Sequence, residues 1–128
     1  MKKLSLLILF FFIHSIAHAG LNPKRTRLFH CRNFGPAELV EELYIVESVL
    51  GRNTFYEVEV PYYQDGERVF YRKLNLIEKY NGRVLLFTTG NYRVKIDRVF
   101  PVDMKYKTFV RLPNFDIHST NWFCKDYI

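Results

Sequence analysis

The sequence predicts an all-β domain with mainly antiparallel strands, arranged as a small β-barrel or β-sandwich of about seven or eight strands around a central meander. Two-residue turn signals recur along the chain at Asp65-Gly66, Asn81-Gly82 and Gly90-Asn91. Segments of alternating apolar and polar residues separate these turns, and aromatic residues make up 17% of the sequence. β-Branched and aromatic side chains suit pleated strands, and short strands with frequent turns are typical of small sandwiches and barrels.

The clearest element is a hairpin over Arg83–Phe100. Its connection is Gly90-Asn91, and glycine takes the positive φ that the first position of a type II′ turn requires. The second arm alternates, so a strand places three apolar side chains on one face and three charged ones on the other: Tyr92, Val94 and Ile96 against Arg93, Lys95 and Asp97. A helix would scatter the same residues around its axis.

Further strands are expected on both sides of this hairpin. The pattern predicts them over Thr26–Arg32, Thr54–Tyr63, Arg68–Tyr80, Lys105–Leu112 and Ser119–Tyr127. The segment 37–50 is ambiguous, because Pro36, early glutamates and Gly51 punctuate it like a helix. Its stretch Leu43–Val46 is rich in strand-forming residues, so we favour a short turn followed by a strand over Glu42–Val49 and keep a single helix at 37–50 as the alternative.

The first 19 residues are expected to be a signal peptide. Lys2 and Lys3 precede an apolar run over Leu4–Ile13, and Ala17-His18-Ala19 has the form of a signal-peptidase site. The apolar run is too short for a permanent membrane helix, which needs about 20 residues. Cleavage would leave 20–128 as one exported domain in the periplasm or outside the cell, and the short dibasic start is typical of a bacterial protein.

The two cysteines predict a structural disulfide. Cys31 and Cys124 lie near opposite ends of the exported chain, in the first and last expected strands. An even cysteine count in an exported protein indicates disulfide bonding, because the compartment is oxidising. A bond between first and last strands would fit the closure of a barrel.

The residues that carry most enzyme chemistry are sparse. Only His30 and His118 remain after the signal peptide, and strand geometry separates them. No histidine or cysteine cluster has metal-ligand spacing, and nothing in the sequence indicates a cofactor. Alternating glutamates such as Glu57 and Glu59 are typical of the solvated face of a strand, although paired carboxylates also serve glycoside hydrolysis. We therefore expect no catalytic residues, no metal and no enzymatic activity.

Positive charge is the remaining functional signal. The formal net charge is +6, of which Lys2 and Lys3 contribute two. If the hairpin strand pairs with Lys105–Leu112, five basic residues share one outer face: Arg93, Lys95, Lys105, Lys107 and Arg111. Such a face suits an anionic surface. We favour the simpler interpretation that a charged outer face keeps the strands soluble and protects sheet edges, and keep binding to an anionic surface as the alternative. The tyrosines nearby fall on the opposite face, so no specific nucleic-acid binding is expected.

The sequence thus predicts a soluble, exported, non-catalytic interaction module, with an anionic envelope component or a protein as partner. A small barrel that holds an apolar ligand is the first alternative, and a small hydrolase is the second. Outward-facing charges would cost about 2–4 kcal/mol each for basic residues at mid-bilayer, so the exported domain is not expected to span a membrane.

Overall fold

The computed structural model describes residues 22–35, 40–62 and 68–128. The expected signal peptide, residues 36–39 and the Asp65-Gly66 turn lie outside the described residues. The strands are β1 Lys24–Asn33, β2 Glu42–Leu50, β3 Asn53–Tyr62, β4 Arg68–Lys79, β5 Val84–Thr89, β6 Tyr92–Val102, β7 Lys105–Leu112 and β8 Ile117–Asp126. One turn of 3-10 helix, Pro113–Phe115, precedes β8. The all-β prediction is confirmed.

The eight strands form a closed barrel in simple meander order. Each strand pairs antiparallel with the next, and β1 closes the barrel by pairing with β8. Closure gives every strand two neighbours and so leaves no free sheet edge. The choice between barrel and sandwich that the sequence left open is thereby decided.

The helix alternative is wrong over Glu42–Leu50, which is strand β2. Leu43 and Ile45 point into the core and are fully buried, while the alternate residues Tyr44 and Val46 face outward. This alternation places one set of side chains in the core and the other outside, as a strand in a barrel wall requires. Pairing with β1 and β3 stabilises the strand more than the helix-favouring residues around the segment would stabilise a helix.

The predicted disulfide is confirmed, and it fastens the closing seam of the barrel. Cys31 and Cys124 stand directly opposite each other in the β1–β8 ladder. Their Cα atoms are 3.9 Å apart, closer than the range of about 4.4–6.8 Å that disulfides usually span. The bond joins residues 93 positions apart in the chain, so it links the two strands whose pairing completes the fold.

The inward-facing side chains of the described strands pack into one core. An eight-stranded barrel is just wide enough for side chains to fill it. Trp122 and Phe87 are the largest fully buried side chains, and Tyr56, Phe70, Tyr92 and Tyr106 pack against the cluster. The indole Nε1–H of Trp122 has no acceptor among the described residues, which costs part of the stability that burial of its ring provides.

Two predicted turns are confirmed in their backbone geometry. Gly90 has φ 54° and Asn91 is not in the positive region, as a type II′ turn requires. Asn81 and Gly82 have φ of 55° and 79°, which is the type I′ combination, and Arg83 N–H donates to the Tyr80 carbonyl across the turn. These local signals place the β4–β5 and β5–β6 hairpins where the sequence predicted them.

A β-bulge in β1 determines what this strand presents to solvent. The register with β2 shifts between Arg27 and Phe29, so Leu28 is an extra residue in the ladder. The shift changes which face the odd-numbered residues occupy. Arg25 and Arg27 consequently lie outside the barrel, whereas Phe29 and Cys31 lie inside. It also explains why β1 alternates only weakly in the sequence.

In the described part of the chain, no helix is long and apolar enough to cross a membrane.

Candidate binding surface

The five predicted basic residues lie on two paired strands. Arg93 stands directly opposite Arg111, and the next outward pair joins Lys95 to Phe109. Lys107 is opposite Asp97, and Lys105 follows on the same face of β7 towards the turn. We call this outer surface of β6 and β7 the basic face: Arg93, Lys95, Lys105, Lys107 and Arg111.

Four members of the basic face are solvent-exposed, and the fifth, Lys105, is partly buried. The side chain of Lys105 extends towards Phe34, the residue after β1, and its Nζ lies 4.9 Å from the centre of the Phe34 ring. One carboxylate, Asp97, interrupts the positive charge, and its Oδ1 accepts a hydrogen bond of 2.9 Å from Val99 N–H. The face therefore remains positive and open to solvent.

Apolar side chains underlie the basic ones. Lys95 of β6 lies between two apolar cross-strand neighbours on the outer face, Leu86 of β5 and Phe109 of β7. Leu86 is buried although it points outward. Long lysine stems can cover such apolar surface while their charged ends stay in water. A shallow depression of about 140 Å³ lies between Lys95 and Lys107. The basic face therefore combines exposed positive charge with the partly exposed ring of Phe109.

The two histidines belong to different surroundings. His30 Nε2 lies 2.9 Å from Glu42 Oε2, and its ring stacks on Tyr44 with centroids 4.7 Å apart. His30 also pairs with Lys125 across the seam, as expected from the disulfide register. His118 packs edge-on against Phe109 at 5.1 Å and stands opposite Arg111. Each histidine has its own partners, and the structure does not bring the two together.

The expectation for Glu57 and Glu59 was wrong. Both side chains point outward from β3, yet each residue is only 7% exposed. Arg25 Nε donates to Glu57 Oε1 at 3.2 Å, and Ser48 Oγ donates to the same oxygen at 2.5 Å. The solvated face predicted from alternation is instead a covered ion-pair network.

Glu59 holds the second half of this network. Arg27 Nε donates to Glu59 Oε1 at 2.7 Å, and Tyr71 OH donates to Oε2 at 2.8 Å. Both arginine side chains reach over β2 from β1, because the bulge turns them outward. The fully buried Val46 and Ser48 of β2 lie between the two partner strands.

Aromatic rings stack on the two arginines of the network. The guanidinium of Arg25 lies 4.3 Å above the Tyr71 ring, and that of Arg27 lies 3.8 Å above the Tyr44 ring. Burial raises the pKa of Tyr71, and its hydrogen bond to Glu59 raises it further. Burial alone would lower the pKa of Arg27, but its bonds to Glu59 and Tyr127 raise the pKa above its usual value.

The network is charge-balanced and engages both carboxylates. Two arginines neutralise two glutamates, and cation–π stacking fixes the guanidinium planes. Such an arrangement stabilises the part of the barrel wall formed by β1, β2 and β3. It does not expose a free carboxylate in a cleft, as a catalytic acid would require. The matching alternation of Arg25/Arg27 and Glu57/Glu59 is the sequence signal that could have revealed it, but only together with the bulge.

Within 22–35, 40–62 and 68–128, no group of three or more histidine, cysteine, aspartate or glutamate side chains is placed to hold a metal ion.

Comparison of the chain with protein-family models, with curated proteins and with solved structures found no significant match. A barrel architecture alone does not specify a function, so the surface of the protein carries the information about what it binds.

Proposed function

We propose that this protein is an exported, non-catalytic binding module whose basic face docks on an anionic component of the cell envelope or exterior. The observation that carries the proposal is the basic face itself. Four exposed cations converge on one pair of strands, with Asp97 as the carboxylate among them. Converging charge of one sign attracts an oppositely charged surface and accelerates its encounter.

Export is supported by two independent features. The first 19 residues have the charge and apolar pattern of a signal peptide. The Cys31–Cys124 disulfide belongs to an oxidising compartment, since cytosolic thiols are kept reduced. Both features support a location in which lipid head groups, acidic polysaccharides and acidic proteins are available to the basic face.

The packed interior supports surface binding over an apolar ligand inside the barrel. The inward-facing residues of the described strands contact one another in a single cluster around Trp122 and Phe87. The hydrolase alternative gains no support from His30 and His118, whose contacts lie on separate surfaces.

Charge reversal on the basic face is expected to weaken binding to a soluble polyanion. The variant Lys95→Glu with Lys107→Glu should lose at least tenfold in heparin affinity at low salt, because each surface cation contributes about 1 kcal/mol to attraction by an anionic surface. Heparin-column elution and isothermal titration measure the change, and the melting temperature should stay close to that of the parent.

The matched control is Arg52→Glu with Lys73→Glu. Both residues are exposed and lie outside β6 and β7, and the change in net charge is identical. This control should retain most of the affinity. Equal weakening by both double variants would show a response to net charge alone, and equal retention of all proteins would refute the proposed role of the basic face.

Processing is expected between Ala19 and Gly20. The small residues at positions 17 and 19 fit the specificity of signal peptidase. Intact-mass spectrometry of the exported protein should give a chain that begins at Gly20. An exported species that retains Met1–Ala19 would contradict the expected cleavage.

A further inference from the structure

One end of the barrel displays large apolar side chains to solvent. In a meander, the β2–β3, β4–β5 and β6–β7 turns lie at the same end. Phe100 and Val102 at the end of β6 and Met104 in the β6–β7 turn are 83%, 61% and 81% exposed, and Tyr80 in the β4–β5 turn is 76% exposed. Soluble surfaces seldom cluster apolar side chains this way unless they meet a partner.

The backbone holds these side chains at a protruding tip. The β6–β7 ladder is irregular between Asp97 and Val102, and Val102 then pairs with Lys105. The two residues of the connection, Asp103 and Met104, have φ of 52° and 63°. A non-glycine residue such as methionine rarely adopts this region, yet here it places Met104 at the apex of the turn.

Arg98, in β6, ties this strand to the β4–β5 turn. Its Nε donates to the Gly82 carbonyl at 3.1 Å, and its Nη2 donates to the same oxygen. Its backbone N–H donates to the Arg83 carbonyl at 2.7 Å. The tie holds the β4–β5 turn, which carries Tyr80, against β6, which carries Phe100.

A depression of about 430 Å³ lies between the β4–β5 turn and β6. Three cations line it (Lys79, Arg83 and Lys95), together with Asp97, and the exposed rings of Tyr80 and Phe100 form part of its wall. The depression therefore combines a net positive lining with aromatic side chains next to the protruding tip.

We infer that this end of the barrel docks on an anionic phospholipid bilayer, with the depression over a phosphate head group and Phe100, Val102 and Met104 in the interfacial layer. Charge complementarity selects the occupant, because apolar side chains beside a positively charged depression match a layer with apolar chains beneath anionic phosphates. Aromatic rings favour that interface. A tip of three apolar side chains is far smaller than the roughly 800 Å² per partner of a stable protein interface.

The inference rests on the proposed function and names its partner. Lys105 directly follows the turn and Lys107 lies two residues further along β7, so the basic face continues from the apolar tip. The basic face supplies long-range attraction, and the tip supplies short-range apolar contact that salt does not screen.

A tryptophan reporter tests insertion directly. The variant Phe100→Trp replaces one exposed aromatic residue by another, while the native Trp122 is fully buried and gives a constant background. With vesicles of equimolar phosphatidylglycerol and phosphatidylcholine, its emission should shift to the blue, and lipids brominated on their acyl chains should quench it. Asn91→Trp, in the exposed β5–β6 turn at the opposite end, is the matched control and should show neither response.

Removal of the apolar side chains separates this inference from the proposed function. Phe100→Ser with Met104→Ser should lose at least tenfold in affinity for the same vesicles. The same variant should keep its heparin affinity and melting temperature, because both residues are exposed. Lys95→Glu with Lys107→Glu should lose both kinds of binding.

Other results would overturn the inference. If the native protein binds the vesicles while Phe100→Trp emission is unchanged, the basic face alone binds and the tip has no part. If glycerol phosphate without vesicles shifts the emission, the ligand is a soluble phosphate and not a bilayer. If the native protein binds neither heparin nor vesicles, the proposed function is overturned as well.

Discussion

Replacement of both cysteines, Cys31→Ala with Cys124→Ala, is expected to lower the free energy of unfolding by about 2–5 kcal/mol. The bond spans 93 positions, and cross-linking so long a loop removes much of the conformational entropy of the unfolded chain. It also fastens β1 to β8, the pairing with the largest sequence separation in the barrel. Denaturant unfolding followed by circular dichroism measures the loss.

Reductant provides the control for this prediction. It should destabilise the parent and leave the double-alanine variant unchanged, because that variant has no thiols. Heparin binding should persist wherever the variant is folded, since the bond lies inside the barrel wall. A loss below about 1 kcal/mol, or two free thiols in the native exported protein, would contradict the structural role of the bond.

The second large effect is expected at Glu59. Glu59→Ala should lower the free energy of unfolding by about 1–3 kcal/mol, because Arg27 Nε and Tyr71 OH both lose their acceptor. The value lies below that for a fully buried ion pair, since the Arg27 side chain is 38% exposed and water can solvate it.

Glu78→Ala is the matched control for Glu59→Ala, because Glu78 is an exposed carboxylate on β4. It should change stability by no more than about 0.5 kcal/mol. A double-mutant cycle between Glu59→Ala and Tyr71→Phe should reveal a coupling energy, since the two side chains share a hydrogen bond. Equal stability of Glu59→Ala and Glu78→Ala would mean that the network contributes nothing.

Local features of the fold were predictable because local chemistry decides them. Gly90 and the pair Asn81-Gly82 favour the two turns that the structure contains, and alternation in β6 sorts its side chains as expected. The disulfide was predictable from the even number of cysteines together with the predicted signal peptide. Barrel closure was not, because sandwich and barrel strands share the same alternation and differ only in how the first and last strands meet.

Two features depended on information that alternation does not carry. The bulge at Leu28 reverses the faces of β1, and no residue type around it signals the shift. Without the bulge, Arg25 and Arg27 fall on the same face as Phe29, and their pairing with Glu57 and Glu59 cannot be foreseen. The burial of those glutamates is thus a tertiary effect of two strands separated by a third.

The basic face was predictable as a location, because β6 and β7 are neighbours in sequence and pair through a short connection. The exposed apolar tip beside it was not. Phe100, Val102 and Met104 resemble strand-forming core residues in the sequence, and only the irregular end of the β6–β7 ladder reveals that they project into solvent.

Binding of the native protein to vesicles, measured by co-sedimentation, tests the central claim most directly. Vesicles of equimolar phosphatidylglycerol and phosphatidylcholine should bind the protein at about 0.1 M salt, while pure phosphatidylcholine vesicles should not. Binding should weaken at least tenfold at about 1 M salt, where the Debye length falls from about 10 Å to about 3 Å. Equal binding to both kinds of vesicle, or none to the anionic vesicles at the lower salt, would contradict an anionic bilayer as the partner.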